Sequence, residues 1–270
     1  MGAVESVRRQ TYANWEIVLV DDGCTDNSEE VYVELEKDER IHIYCNDKNM
    51  GCGYTKHRCA ELAKGEICGF LDPDDALIEN TLELETKIHV AHPEVSIIYS
   101  KPLYCDSSFN VLENGEVPVF KAGETYLDHR THGAMNFASY KNEYYKKTQG
   151  INPKLKAGVD QDLYFRMEEV GQFYVLDEYT YKYVIVGHPN AISCGVDKEA
   201  SLWYWNLVAR RDAFIRRGRS EEELVEDLKA YVDKYTRHMM RQQELHIRSS
   251  YAYRVGKFLT TPLSWLKRKL

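Results

Sequence analysis

Twice in its first 75 residues the chain drives an apolar run into a cluster of carboxylates. Ile17-Val18-Leu19-Val20 leads into Asp21-Asp22-Gly23, and Ile67 to Leu71 leads into Asp72-Pro73-Asp74-Asp75. The first run is apolar at every position, which suits a strand covered on both faces, as in a parallel sheet flanked by helices. In open α/β sheets, ligands bind beyond the carboxyl ends of the strands. The pattern thus constrains both the fold and the place of its site.

The rest of the N-terminal half repeats that rhythm. The spacing predicts a short helix over 4–10, a strand over 15–20 and a helix over 26–37 with Asp26 as a cap. It continues with strands over 41–45 and 66–71, helices over 54–64 and 77–91, and a strand over 95–100. Alternation of this kind argues an α/β sheet with right-handed crossovers. From 102 to 140 turn signals such as Asp106-Ser107-Ser108 and Asn114-Gly115 predict short antiparallel additions. A helix over 160–169 and strands over 173–176 and 179–186 follow. From Asp197 onward the chain reads as helical, with Leu224, Leu228, Tyr231, Tyr235 and Met239 forming one apolar stripe.

Carboxylates crowded at two strand ends repel one another and raise each other's pKa. A hard divalent cation removes that cost. Mg²⁺ and Mn²⁺ take oxygen ligands, and Mg²⁺ is commonly held by one or two carboxylates together with substrate phosphates. If the two strands are neighbours, their acids face one crevice and a nucleoside diphosphate is a natural ligand. Asp-Asp-Gly and Asp-Pro are also ordinary turn sequences, and Asp26 or Asp75 can serve as helix caps. The two clusters together, each after an apolar strand and before a helix, carry more weight than either alone.

The segments QTYANWEIVLVDDGCTDNS and NMGCGYTKHRCAELAKGEICGFLDPDDALI resemble the family 2 glycosyltransferases of GT-A fold, in order and spacing over roughly residues 10 to 80. Cys24 stands where a serine is usual, and Lys56 where an arginine is common. The resemblance implies a mixed, mainly parallel sheet flanked by helices, with a nucleotide-binding part (1–100) and an acceptor-binding part (101–195). A helical C-terminal extension (196–270) would follow. It implies transfer of a sugar from a nucleoside diphosphate donor, most commonly a UDP-sugar, to a glycan or lipid-linked acceptor in surface polysaccharide synthesis. Asp21, Asp22, Lys56 and Asp72 would then bind the donor, and Asp74 would bind Mn²⁺ or Mg²⁺. AGVDQDLYFRMEEVG resembles the family's second motif and places Asp160 on the base of inverting members. Val159 replaces the glutamate usual before it. Asp162 is the neighbouring alternative, and a helix N-cap is the other reading of Asp160. In VGHPNAISCG the looser likeness makes His188 a metal-ligand candidate, against the plainer reading of a structural histidine. The family's first strand is missing from the sequence, which starts within the first helix; an N-terminally truncated domain is the expectation.

Composition narrows the rival classes. A net charge of −8 disfavours a general nucleic-acid binder. Seven cysteines without a C-x-x-C pair read as reduced thiols of a cytoplasmic protein. Residues 251–270 carry Arg254, Lys257, Lys267, Arg268 and Lys269 among aromatic and aliphatic residues, with no acid. That segment is expected either to lie on the anionic inner face of the cell membrane or to pack on the domain. Two other functions stay open: a sugar nucleotidyltransferase, and a catalytically silent nucleotide- or glycan-binding remnant of a transferase.

Overall fold

The apolar runs become strands, and the stretches between them become helices. The computed structural model describes residues 2–118, 120–121, 123–128, 137–185 and 196–249. Its elements begin with α1 (Gly2–Arg8), β1 (Ile17–Asp21), α2 (Ser28–Leu35), β2 (Ile41–Cys45), α3 (Cys52–Leu62), β3 (Ile67–Gly69), β4 (Ala76–Leu77) and α4 (Thr81–Ala91). There follow β5 (Val95–Cys105), β6 (Val111–Asn114), β7 (Ala138–Lys141), α5 (Asn142–Tyr145), α6 (Val159–Val170), β8 (Gln172–Val184), α7 (Val196–Arg216) and α8 (Glu221–Ser249).

β1 and β2 pair in parallel, from Ile17 opposite Ile41 to Asp21 opposite Cys45. A second sheet has the order β3-β7-β5-β8-β4, with β6 on β5. Its longest ladder, β5 with β8, is parallel. The shorter β3–β7, β4–β8, β5–β6 and β5–β7 ladders are antiparallel. The ends of β1 and β3 therefore do not lie on paired strands among the described residues. Their starts are tied by Glu16, whose carboxylate accepts the Lys64 and Gly65 amides at 2.6 and 2.8 Å, and the turns after them are joined through α3 and the loop before it. An apolar cluster of Val7, Leu77, Phe137 and Tyr181, joined by Trp15, Ile17 and Leu71, packs beside this junction. α4 covers the other sheet through Leu84 and Ile88 against Val95, Ile98 and Leu176.

Two element boundaries differ from expectation for local reasons. The strands expected over 173–176 and 179–186 form one strand, β8, whose pairing with β5 shifts register around Lys101 and Pro102. Proline has no amide to give a ladder, so the irregularity falls there. The helix expected from residue 77 begins at Thr81, because Ala76 and Leu77 pair with Lys182 and Tyr181 first.

The chain divides into two compact units, Met1–Gly218 and Arg219–Leu270. α7, assigned from sequence to the C-terminal extension, belongs to the first unit. Its Arg210 donates to the Leu127 carbonyl and its Arg216 pairs with Glu169 on α6. In the second unit α8 opens on a capping box, with Ser220 and Glu223 each bonding the other's amide. Its stripe from Leu224 to Met239 is less exposed than the flanking faces, and Tyr231 is buried. No helix among the described residues is long and apolar enough to cross a membrane. His188 and the basic segment 251–270 lie outside the described residues.

Candidate active site

The turn after β1 is held by its own acids. Asp21 Oδ1 accepts the Cys24 amide at 2.7 Å and Oδ2 accepts the Tyr32 hydroxyl at 2.9 Å. Led by the Cys24 bond and opposed by burial, this set holds the Asp21 carboxyl below the ordinary aspartate range. Asp22 reaches across to the loop before α3. Its Oδ1 accepts from Asn46 Nδ2 and the Met50 amide, and its Oδ2 from the Gly51 amide, all at 2.8 Å. Burial works against the Asp22 charge, but these donors outweigh it and its pKa is lowered. Gly23 sits at φ 75°, and a Cβ there would come within 2.7 Å of the Asn49 amide nitrogen. Only glycine gives the chain room to turn while that loop closes over it. Both aspartates thus fasten the β1 turn, and Asp22 ties it to the N-terminus of α3.

The turn after β3 is fastened from below. The Asp75 amide donates to the Asp72 carbonyl, and the side chain of Asp75 is buried. Asp75 Oδ2 accepts the Tyr181 hydroxyl at 2.6 Å and Oδ1 the Val184 amide at 2.7 Å. Burial, only partly offset by those bonds, pushes its carboxyl up to about 7. Asp75 is therefore the anchor of the turn and not a helix cap. It leaves Asp72 and Asp74 partly exposed above it.

α6 brings the third group. Gly158 is its N-cap, so Asp160 lies inside the first turn and does not cap the helix. Lys56 of α3 donates to Asp160 Oδ1 at 2.8 Å and lies 3.2 Å from Asp72 Oδ1. The carboxylates of Asp160 and Asp72 are 39% and 44% exposed, whereas the Lys56 side chain is 16% exposed. Burial opposes the lysine charge, yet Asp160 and Asp72 hold its pKa well above the ordinary value. Desolvation raises Asp160, Lys56 offsets part of that, and the like charge of Asp72 adds to it. Asp162 does not share this setting. It is buried, accepts the Asn152 amide at 3.0 Å and pairs with Arg166 at 2.9 Å.

Cys52, the first residue of α3, marks where these groups converge. Burial pushes its thiol up to about 11, Lys56 opposes this, and Asp160, Asp72 and Asp22 each add to it. One partly buried sulfur thus feels the acids of the β1 turn, the β3 turn and the α6 N-terminus together. Asp74 stands two residues from Asp72 in the same turn. Sequence reasoning named Asp21, Asp22, Lys56, Asp72, Asp74 and Asp160. It missed Cys52, Asn46 and Tyr181, which hold or mark the site through contacts distant in sequence.

Among the described residues no group of three or more His, Cys, Asp or Glu side chains is arranged to hold a metal ion. The hard oxygen donors on the open side are Asp72 and Asp74. That set fits a Mg²⁺ or Mn²⁺ that completes its shell with substrate phosphates and water, and not a closed protein cage.

The model of the family described as "Glycosyl transferase family 2" matches residues 2–149. The chain belongs to glycosyl transferase family 2. Among family relatives, the chondroitin synthase of Escherichia coli is 26% identical over 190 residues, covering 70% of this chain and 27% of that protein. The chain thus spans about a quarter of that relative's length. An uncharacterized glycosyltransferase of Methanocaldococcus jannaschii is 25% identical over 213 residues, covering 76% of this chain and 72% of that protein. The crystal structure of S. aureus TarS 1–349 in complex with UDP-GlcNAc superposes with a TM-score of 0.63 at 17% identity. It covers 93% of this chain and 72% of that one. The shared architecture is the GT-A fold of the family.

Proposed function

We propose that the chain transfers a sugar from a nucleoside diphosphate donor, a UDP-sugar, to a hydroxyl of a glycan or lipid-linked acceptor in surface polysaccharide synthesis. One observation carries this reading: Lys56 bonds Asp160 at 2.8 Å and Asp72 at 3.2 Å, so a candidate base and a candidate donor-binding acid meet across a single ammonium. The names of the relatives agree with it, since one is a chondroitin synthase and TarS was crystallised with UDP-GlcNAc. Asp22 and Asp21 shape the rim for the base and ribose. Asp72 would lie beside the donor ribose, and Asp74 would hold Mg²⁺ or Mn²⁺ against the diphosphate, with His188 as a further ligand; such an ion, when bound, stabilises charge on the leaving group. The basic segment 251–270 would bring the chain to an anionic membrane surface.

Asp160 takes the proton of the acceptor hydroxyl, as a positioned general base does. The oxygen forms its bond to the anomeric carbon while the bond from that carbon to the phosphate oxygen breaks, and the electron pair leaves with the nucleoside diphosphate. A single displacement inverts the anomeric configuration.

The test pairs nucleoside diphosphate release with calorimetric binding of UDP, both in Mn²⁺. Asp160→Asn should lose turnover by about 10²–10⁴-fold and keep UDP affinity. Asp74→Asn should lose turnover and the Mn²⁺-dependent part of UDP affinity. Wild-type turnover and affinity in both variants would overturn the assignment. Release of pyrophosphate would point to a nucleotidyltransferase instead.

A further inference from the structure

Lys56 is buried more deeply than either of its partners, so the cation forms the floor of the site and the acids form its walls. Its ammonium also lies 5.6 Å from the centre of the Phe70 ring, just past β3 and two residues before Asp72. The three groups come from α3, from the turn after β3 and from α6, and Lys56 is 104 positions from Asp160. An ion pair on an exposed surface is worth about 1 kcal/mol or less, and burying a lysine carries a desolvation cost. Stability alone gives little reason to sink this ammonium between two half-exposed carboxylates. Geometry gives a better one. Among the described residues Lys56 is the cation that bonds Asp160, and Asp72 lies 3.2 Å from the same nitrogen as a like charge to Asp160.

We propose that Lys56 is the positioning residue for Asp160: its ammonium, bonded to the carboxylate at 2.8 Å and 3.2 Å from Asp72, fixes Asp160 toward the donor turn. This rests on the reading of Asp160 as the base of a sugar transfer. The lysine makes no bond to the acceptor in this role. It acts through Asp160, which must carry a free pair of electrons when the acceptor hydroxyl arrives. Removal of the ammonium leaves two carboxylates facing each other in a partly desolvated cleft, and the one on α6 then holds its proton to higher pH. A guanidinium in the same place supplies the charge again, although its planar fork sits differently from an ammonium.

The test reads Asp160 directly. In protein labelled with ¹³C at aspartate Cγ, the Asp160 signal is the one that Asp160→Asn removes, and its titration needs no turnover. Lys56→Gln should raise its midpoint by about one pH unit or more, and Lys56→Arg should restore most of the difference. Asp72→Asn should move the midpoint down, because the lysine then serves Asp160 alone; this second variant keeps the test open should Lys56→Gln not fold. With saturating donor and acceptor, the acid limb of kcat should shift by the same amounts. An unmoved midpoint in Lys56→Gln, or in Asp72→Asn where Lys56→Gln does not fold, would overturn the proposal. Shifts as stated, in a wild-type protein that releases no nucleoside diphosphate, would support the pairing and overturn the transferase reading. Turnover with an unshifted acid limb in Lys56→Gln would leave the transferase reading standing and remove Lys56 from it.

Discussion

Asp160 and Asp162 stand two positions apart at the start of one helix, and the packing around them separates their roles. Asp160 faces Lys56 with 39% of its side chain open. Asp162 is 1% exposed and bonded to Arg166, itself 6% exposed, with Arg216 at 3.6 Å. Removing one partner of a buried pair leaves the other charge uncompensated, which typically costs about 3–5 kcal/mol. Asp162→Asn should therefore lower unfolding stability by about 3 kcal/mol in urea denaturation. Asp160→Asn should lose less, because Asp72 still faces Lys56. Equal stability of Asp162→Asn and the wild type would remove the anchoring role. The acids that read as functional in the sequence are those at strand ends and at the second motif, and Asp72, Lys56 and Asp160 do come together. The choice between Asp160 and Asp162 was not legible. It depends on Asn152 and Arg216, whose approach no local pattern announces.

At the scale of elements, periodicity and strand-end chemistry located most of the first unit, and long-range contacts decided the rest. Ile41–Cys45 is a strand as expected, and the helix over 160–169 forms as α6. The β1 and β3 ends meet through α3 and not through strand pairing, because β1 pairs with β2 and β3 with β7. The start of α3 shows why the sequence could not say so. Gly53 lies where a Cβ would be 2.3 Å from the Leu155 carbonyl oxygen and 2.9 Å from that of Asn152. Its own amide donates to Leu155 at 3.0 Å, so the helix is docked backbone to backbone on a loop a hundred residues later. Neither carbonyl is a flexible side-chain end. Gly53→Ala should push the N-terminus of α3 outward and destabilise the protein by about 1–3 kcal/mol, since overpacking of this kind has no cheap relief. It should also weaken UDP binding, because Cys52 and Lys56 move with the helix. Denaturation and calorimetry on the one variant check both, and wild-type behaviour in the two would show that α3 does not depend on this contact.

Across the whole molecule, the stability carries a pH dependence set by acids held neutral in the interior. Glu85 of α4 is 1% exposed, and burial raises its carboxyl to about 8, against the opposing hydroxyls of Ser139, Thr180 and Ser100. His89, one turn on, is likewise buried. Desolvation, with Lys141 adding to it, lowers its pKa to about 4 while its Nε2 contacts Ser139 Oγ at 3.0 Å. An acid whose folded pKa is raised binds more protons in the folded state between its unfolded and folded values. Its contribution is therefore complete below about 4.5 and is lost as pH climbs through about 8. Neutral His89 works in the other direction, adding stability as pH rises from about 4 to 6.5 and nothing beyond. Above pH 6.5 the Glu85 effect stands without that offset, and Asp75, raised to about 7, adds to it over the lower part of the range. Glu85→Gln keeps a neutral side chain among the same hydroxyls and removes the titration. Its stability relative to the wild type should rise between pH 5 and pH 9, by on the order of 4 kcal/mol if the full shift is realised. Urea denaturation of the two proteins at both values, with unchanged m, gives that difference directly. A constant gap between them would mean that Glu85 ionises in the folded protein as readily as in the unfolded chain.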